Sequence, residues 1–292
     1  MMKTIRLQGL EAAVIACLLA GFGISANAQL LHRYDFTSNA NDSVGTANGA
    51  PVNGAAISGG AVVTDGGNGA VNGTWSGTGP RVTLDSSAVS GITGAFTIED
   101  WFTCTTGWPK YDTLYAFSDN TVDNYLLGAP VRGYSPWPSG TAMRGAGGSY
   151  NATWDLVLSG IYLDQGGPHQ TVLTYDGTTF SYYVDGALAN FSGLAATGTD
   201  VGFNLSTLTD IGINGGSPWG DPSLTGSTYD FRIYGQSLNA DQVAAVYGLG
   251  SDAGNDAIMS AVAVPEPSAL ALIGLGLLAT NAARRRSTLR EL

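Results

Sequence analysis

The sequence contains few residues that could form crosslinks. Only two cysteines occur in 292 residues, and Cys17 lies in an N-terminal apolar stretch that we expect to be removed. Cys104 then has no second cysteine to pair with, so we expect the fold to depend on its hydrophobic core. An apolar strand pattern surrounds Cys104, and only His32 and His169 exist as partners for a nucleophile. The pattern therefore indicates a buried structural thiol.

Basic side chains are also scarce. The chain has 12 Lys and Arg against 23 Asp and Glu, a formal net charge of −11, and Glu99 is the only Glu between the two terminal segments. A chain this acidic repels phosphate backbones and has no basic stripe, so we expect no nucleic-acid partner. The preference for Asp suits turns and calcium, or simply solubility in an exposed environment.

The N-terminus is typical of a secretory signal peptide. Lys3 and Arg6 precede a short apolar core, and Ala26-Asn27-Ala28 places small residues where a signal peptidase cleaves. The apolar run is shorter than the roughly 20 residues that a membrane-spanning helix needs. The sequence predicts a signal peptide over residues 1–28.

The C-terminus has no apolar run long enough for a permanent anchor. Residues 268–283 are uncharged, but a helix of sixteen residues rises only ~24 Å, less than a hydrocarbon core of about 30 Å. The order of motif, apolar helix and arginine cluster resembles the bacterial PEP-CTERM sorting signal, here over residues 264–292. The resemblance implies transient insertion into the inner membrane of a Gram-negative bacterium and removal by an exosortase-type membrane protease. The residues that carry it are Pro265, Glu266, Pro267, Arg284, Arg285 and Arg286.

The segment between the two ends has the pattern of an all-β sandwich or barrel. Short β-rich runs alternate with Gly, Asp-Gly and Asn-Gly turn signals. The best central strand runs through 96–104, and 169–190 predicts three strands joined by turns at Asp176-Gly177 and Asp185-Gly186. The Gly- and Pro-rich stretch 128–149 predicts a long loop over one face.

One helix is predicted near the end of this segment. Asn239 with Gln242 three residues later forms a capping box, and Gly248 is the predicted end. Residues 251–263 then predict a flexible stalk before the sorting signal.

Four segments of the mature chain resemble, in this order, the laminin-G-like, concanavalin A-like jelly roll of bacterial surface proteins. The likeness spans residues 31–247 and implies one domain over 29–250, an all-β sandwich of two antiparallel sheets, one of them concave and open to ligands. The segments are HRYDFTSNANDSVG, FTIEDWF, VLTYDGTTFSYYVDGAL and GSTYDFRIYGQSLNADQVAAVY.

The site residues expected on such a domain point to binding more than to catalysis. Glucanases of this fold use two carboxylates on one strand, whereas Glu99 has Trp101 and Thr103 at the neighbouring positions of its face. Sugar rings stack on aromatic side chains, which here lie near Gly or Pro in predicted loops. The candidates are Trp108, Tyr134, Trp137, Trp154 and Trp219. Family resemblance also allows calcium, with loop oxygens from Asp119, Asp123 and Asp221.

We therefore expect an exported, non-catalytic surface or extracellular-matrix protein that binds carbohydrate or exopolysaccharide. Two alternatives stay open at this point. One is a glycoside hydrolase of the concanavalin-like glucanase type, and the other is a purely structural matrix protein without a defined pocket.

Overall fold

A computed structural model of the protein describes residues 29–66, 79–105, 111–132, 140–147, 154–157, 162–164, 166–189, 197–199 and 202–263. Contacts within the chain define a compact unit over Ala28–Val262. The second unit, Met1–Asn27 with Ala263–Leu292, lies outside the described residues except for Ala263.

The described ranges fold into two antiparallel β-sheets. The nine-stranded sheet A has the order β13-β12-β11-β6-β16-β4-β3, with β1 pairing to β16 and β14 to β12, and the seven-stranded sheet B has the order β10-β9-β8-β7-β15-β5-β2. The strands are β1 Leu30–Tyr34, β2 Gly49–Val52, β3 Ala56–Ser58, β4 Ala61–Asp65, β5 Arg81–Leu84, β6 Phe96–Cys104, β7 Tyr115–Ser118, β8 Asn124–Arg132, β9 Gly140–Gly147, β10 Trp154–Val157, β11 His169–Tyr175, β12 Thr179–Val184, β13 Ala187–Leu188, β14 Thr197–Thr199, β15 Asp210–Ile213 and β16 Thr225–Tyr234.

Helices are short and few among these residues. They are α1 Ser87–Ser90, α2 Ala240–Leu249 and α3 Asn255–Val262, with a 3₁₀ turn at Leu205–Thr207. No helix in the described part of the chain combines the length and the apolar character needed to cross a membrane.

The sandwich predicted from the sequence is confirmed, and its core lies between the two sheets. Alternate residues of β6 enter that core, among them Phe96, Ile98 and Phe102, and Cys104 is buried there as expected. Phe96 packs on Tyr175 of β11 with ring centroids 5.4 Å apart. The predicted meander is also confirmed, since β11, β12 and β13 pair in sequence.

The turn between β12 and β13 shows why its residues are Asp and Gly. Asp185 has φ 49° and Gly186 has φ 78°, so both central residues take the left-handed conformation that a two-residue hairpin turn requires. The preceding turn needs this conformation only at Gly177, with φ 101°.

The loop predicted over residues 128–149 is wrong over most of its length. The structure places most of the segment in strands β8 and β9, which pair Gly128 with Met143 and Leu126 with Gly145. A Cβ atom at Gly128 would lie 2.9 Å from Cε1 of Tyr115, so this glycine permits a large aromatic ring to pack against the strand. Glycine here allows close packing within a strand. From the sequence pattern alone, such a glycine cannot be distinguished from one in a loop.

The predicted start of helix α2 is confirmed, and its predicted end is two residues early. The Asn239 side chain accepts from the Gln242 N–H, and the Gln242 side chain accepts from the Asn239 N–H, which completes the capping box. Gly248 is helical, and the helix ends before Gly250, whose φ of 80° suits only glycine well.

The structure also corrects the prediction of a flexible stalk over residues 251–263. Helix α3 occupies most of this segment and packs on α2 and on the outer face of sheet A. Ile258 and Val262 are fully buried in an apolar cluster with Val243 and Val246 of α2. This burial holds the segment on the domain.

Candidate functional site

The outer face of sheet A is covered by the two C-terminal helices. The apolar cluster beneath them joins Leu30, Val172 and Tyr234 of the sheet to α2 and α3. Trp101 stacks on Tyr247 of α2 with ring centroids 5.7 Å apart and an interplanar angle of 4°. This face is therefore occupied by the protein itself.

Glu99 lies under these helices and is bound on both oxygens. Its Oε1 accepts from Arg232 Nη1 at 2.8 Å, Trp101 Nε1 at 2.7 Å and Gln170 Nε2 at 2.8 Å. Its Oε2 accepts from Tyr234 Oη at 2.6 Å. The side chain is fully buried, so it stabilises the fold and cannot touch a polysaccharide.

Asp230 completes the network around Arg232. It accepts from Arg232 Nε at 2.9 Å and from Arg33 Nη2 at 2.9 Å. Burial raises the pKa of Asp230 to about 6, although the charges of Arg232 and Arg33 favour its ionised form. Burial lowers the pKa of Arg232, but the Glu99 and Asp230 carboxylates outweigh it and raise that pKa above its usual range. Two arginines and two carboxylates thus form a charge-balanced cluster, which holds the sheet to the C-terminal segment.

The outer face of sheet B carries a separate aromatic cluster. Residues Tyr125, Leu127 and Ala129 alternate along β8 and point away from the main core, beside Ala116 of β7 and Ala146 of β9. All five are buried.

Trp219 and Arg144 form the outer layer of this cluster, and both are partly exposed. Trp219 packs edge-on against Tyr125, with ring centroids 6.1 Å apart and an interplanar angle of 77°. The guanidinium carbon of Arg144 lies 4.6 Å from the Trp219 ring centroid and 6.0 Å from that of Tyr125. A cation this close to two aromatic rings is attracted by their negative faces.

A tight turn holds Trp219 in place. The Trp219 N–H donates to Ser217 Oγ at 3.2 Å, and that hydroxyl donates to Asp221 Oδ2 at 2.7 Å. The Gly220 N–H donates to the Ser217 carbonyl at 2.9 Å. These bonds fix the backbone that presents the indole.

A second polar pair lies on the same face of sheet B. Arg81 Nη2 is 3.0 Å from Asp210 Oδ1, and both side chains are partly exposed. Their neighbours Val82 and Ile211 enter the main core, so Arg81 and Asp210 point outward.

The structure brings one of the five predicted aromatic residues into this cluster, namely Trp219. Trp154 begins the edge strand β10, opposite Gly145 of β9. Trp108, Tyr134 and Trp137 lie outside the described residues, as do all six residues of the sorting motif. Arg144 was missed because its stretch, 128–149, was read as a loop. Tyr125 was missed as a site residue, although the spacing of Tyr125, Leu127 and Ala129 places the three on one face of a strand.

The three aspartates considered for calcium do not converge. Asp119 and Asp123 lie on the turn between β7 and β8, where Asp119 Oδ1 accepts from the Thr121 N–H at 2.9 Å. Asp221 lies in the turn after β15, beside the opposite end of β7. Across the described ranges, no group of three or more His, Cys, Asp or Glu side chains is placed to hold a metal ion.

Two family comparisons match this chain. Residues 76–244 match the concanavalin A-like lectin/glucanases superfamily, which is more than half of the chain. The chain belongs to this superfamily. Residues 263–287 match the PEP-CTERM protein-sorting motif. This concanavalin A-like protein is therefore an exported, cell-surface protein. No curated protein matches the chain significantly.

Solved structures share the fold at low sequence identity. HCR/D-Sa-GBL1/C is 11% identical with a TM-score of 0.53 over 76% of this chain and 52% of that one. The binding domain of botulinum neurotoxin serotype D/C VPI 5993 is 11% identical with a TM-score of 0.52 over 75% and 51%. The chain thus spans about half the length of these two proteins. Domain 4 of the Geobacillus stearothermophilus arabinanase AbnA, solved with arabinotriose, is 16% identical with a TM-score of 0.49 over 75% and 98%.

Proposed function

We propose that this protein is a non-catalytic surface protein that binds carbohydrate or exopolysaccharide through the outer face of sheet B. The observation that carries the proposal is the cluster of Trp219, Tyr125 and Arg144 on that face. The indole is partly exposed and held by a hydrogen-bonded turn.

The chemistry of this face suits a sugar. The apolar side of a sugar ring packs on an aromatic ring, and ordered polar groups orient its hydroxyls. Arg144 and the pair of Arg81 with Asp210 supply such polar groups. The register also places Asp155 opposite Arg144 on the adjacent strand. Arg144 and the pair of Arg81 with Asp210 carry both signs of charge, which favours a neutral sugar over a polyanion.

The non-catalytic part of the proposal is supported by the position of Glu99. A glucanase needs two carboxylates that reach the scissile bond. Glu99 is buried on the opposite side of the sandwich and its oxygens are bound by four donors.

Affinity electrophoresis through gels that contain neutral polysaccharides tests the binding site. Trp219→Ala should weaken retardation about tenfold, as expected for the loss of one stacking ring, while Trp219→Phe should retain much of it. The matched control is Tyr247→Ala, which removes a partly exposed aromatic ring from α2 on the other side of the sandwich. Equal retardation of the parent and Trp219→Ala would refute this site. Running each gel with and without a chelator tests whether binding requires calcium.

We further propose that an exosortase-type membrane protease processes the C-terminus after transient insertion of residues 268–283 into the inner membrane of a Gram-negative bacterium. The matched sorting motif supports this, as does an apolar run too short for stable anchoring. Mass spectrometry of the native protein should find a start near Gln29 and no Leu292. A native protein that retains Leu292 would contradict the processing step.

A further inference from the structure

We propose that the docking of helix α3 on sheet A restricts access to the sorting motif, and that α3 must detach before the membrane protease can cleave. This inference rests on the proposed processing and adds its regulation. It starts from the observation that the segment before the motif is part of the folded domain.

Apolar contacts hold the second half of α3. Ile258 and Val262 are fully buried in the cluster that also contains Val243 and Val246. Gln242 Nε2 donates to the Val262 carbonyl at 2.6 Å, which ties the last residue of α3 to the first turn of α2.

Polar contacts hold the start of α3. Arg33 Nη1 donates to Asn255 Oδ1 at 2.8 Å, and Arg33 Nη2 donates to the Ser251 carbonyl at 3.1 Å. Arg232 Nη2 donates to the Gly250 carbonyl at 3.0 Å. Both arginines are themselves bound by Asp230, so the chain from 250 to 255 is attached to the centre of sheet A.

The docking of α3 affects access to the motif because only a few residues separate the two. Only Ala263 and Val264 separate Val262 from Pro265, so the proline lies at most about 11 Å along the chain from a buried residue. A domain of about 235 residues has a radius of gyration of roughly 17 Å. A membrane protease that binds the motif must therefore accommodate the whole domain at its entrance while α3 is docked.

Detachment of α3 removes this restriction. Residues 251–262 would become a tether about 40 Å long when extended. An isolated helix of eight residues is not stable in water, so the released segment behaves as open chain. The buried contacts of Ile258 and Val262 set how often this occurs.

The experiment compares two large-to-small changes on the same helix in the intact precursor. Ile258→Ala removes a fully buried side chain, whereas the control Met259→Ala removes one that is 39% exposed. Processing is followed in the native host by pulse labelling and loss of the C-terminal tail. Ile258→Ala should speed cleavage about tenfold or more, because such a buried truncation raises the population of the detached form at least that much. Met259→Ala should match the parent.

A third variant inserts ten Gly and Ser residues between Ala263 and Val264. This chain should be cleaved rapidly whether or not Ile258 is replaced, and circular dichroism should show that all variants keep the parent fold. Equal rates for the parent, Ile258→Ala and the spacer chain would overturn the restriction by α3 and leave the processing proposal standing. Absence of cleavage in every chain, the spacer chain included, would overturn the processing proposal and this inference with it.

Discussion

Replacement of Arg232 by Met tests whether charge balance holds sheet A to the C-terminal segment. Arg232 is fully buried and donates to Glu99, Asp230 and the Gly250 carbonyl. The substitution leaves two buried carboxylates with only Arg33 to compensate them. Removing one partner of a buried ion pair typically costs about 3–5 kcal/mol, a large part of the roughly 5–15 kcal/mol that stabilises a domain.

A double-mutant cycle with Glu99→Gln separates the electrostatic cost of removing Arg232 from the cost of lost packing. The double variant again has balanced charge, with Arg33 facing Asp230. It should therefore lose less stability than the two single variants together, with a coupling energy of about 1–3 kcal/mol. Arg232→Lys keeps the charge but loses the several donors of the planar guanidinium. Its free energy of unfolding should therefore lie between those of the parent and Arg232→Met.

Urea unfolding measures these differences, with intrinsic tryptophan fluorescence and far-ultraviolet circular dichroism as two signals. One of the six tryptophans, Trp101, contributes a signal from the network itself, because its indole N–H donates to Glu99 at 2.7 Å. Additivity of the two single changes within about 0.5 kcal/mol would refute the reasoning from charge balance.

Three further outcomes are expected from other parts of the fold. Burial raises the pKa of Asp100 well above its usual range, and the Asp230 and Glu99 charges raise it further, so the free energy of unfolding should fall as pH rises from about 4 toward the folded pKa. Asp100→Asn should flatten that decline in urea titrations between pH 4 and 8, and an unchanged slope would contradict the assignment. Gly226→Ala should lower the free energy of unfolding by about 1–3 kcal/mol in thermal unfolding, since its Cβ would lie 2.0 Å from the Thr103 carbonyl oxygen. Gly248→Ala should instead raise the free energy of unfolding by about 0.5–1 kcal/mol, because open space surrounds this helical glycine. A lower free energy of unfolding would contradict this expectation.

The elements that were predicted correctly are those specified by residues close together in the sequence. The alternation of Phe96, Ile98 and Phe102 marked the central strand, and the capping box of Asn239 with Gln242 marked the start of α2. The pairing of turn signals with short strands identified the meander at β11 to β13. These features depend on neighbours along the chain, which is the information that a sequence pattern contains.

The elements that were missed depend on contacts far apart in sequence. Helix α3 is held by Arg33, which lies 222 residues from its partner Asn255. Gly128 looked like part of a loop because the ring of Tyr115 that packs on it belongs to another strand. The candidate site has the same origin, since Trp219 meets Arg144 only through the pairing and turn geometry of sheet B. Such proximity is a property of the fold.

The apolar cluster under α2 and α3 contains both Leu30, near the start of the compact unit, and Val262, its last residue. The two ends of the domain therefore emerge from one region of its surface. Such an arrangement tolerates new connections well. A short linker joining these ends, with new termini opened in an exposed turn such as the one at Gly177, should yield a circularly permuted domain with an unchanged sheet B. The proposed binding face could then be displayed without the segments that flank the domain, in a form suited to immobilisation or to tandem fusion.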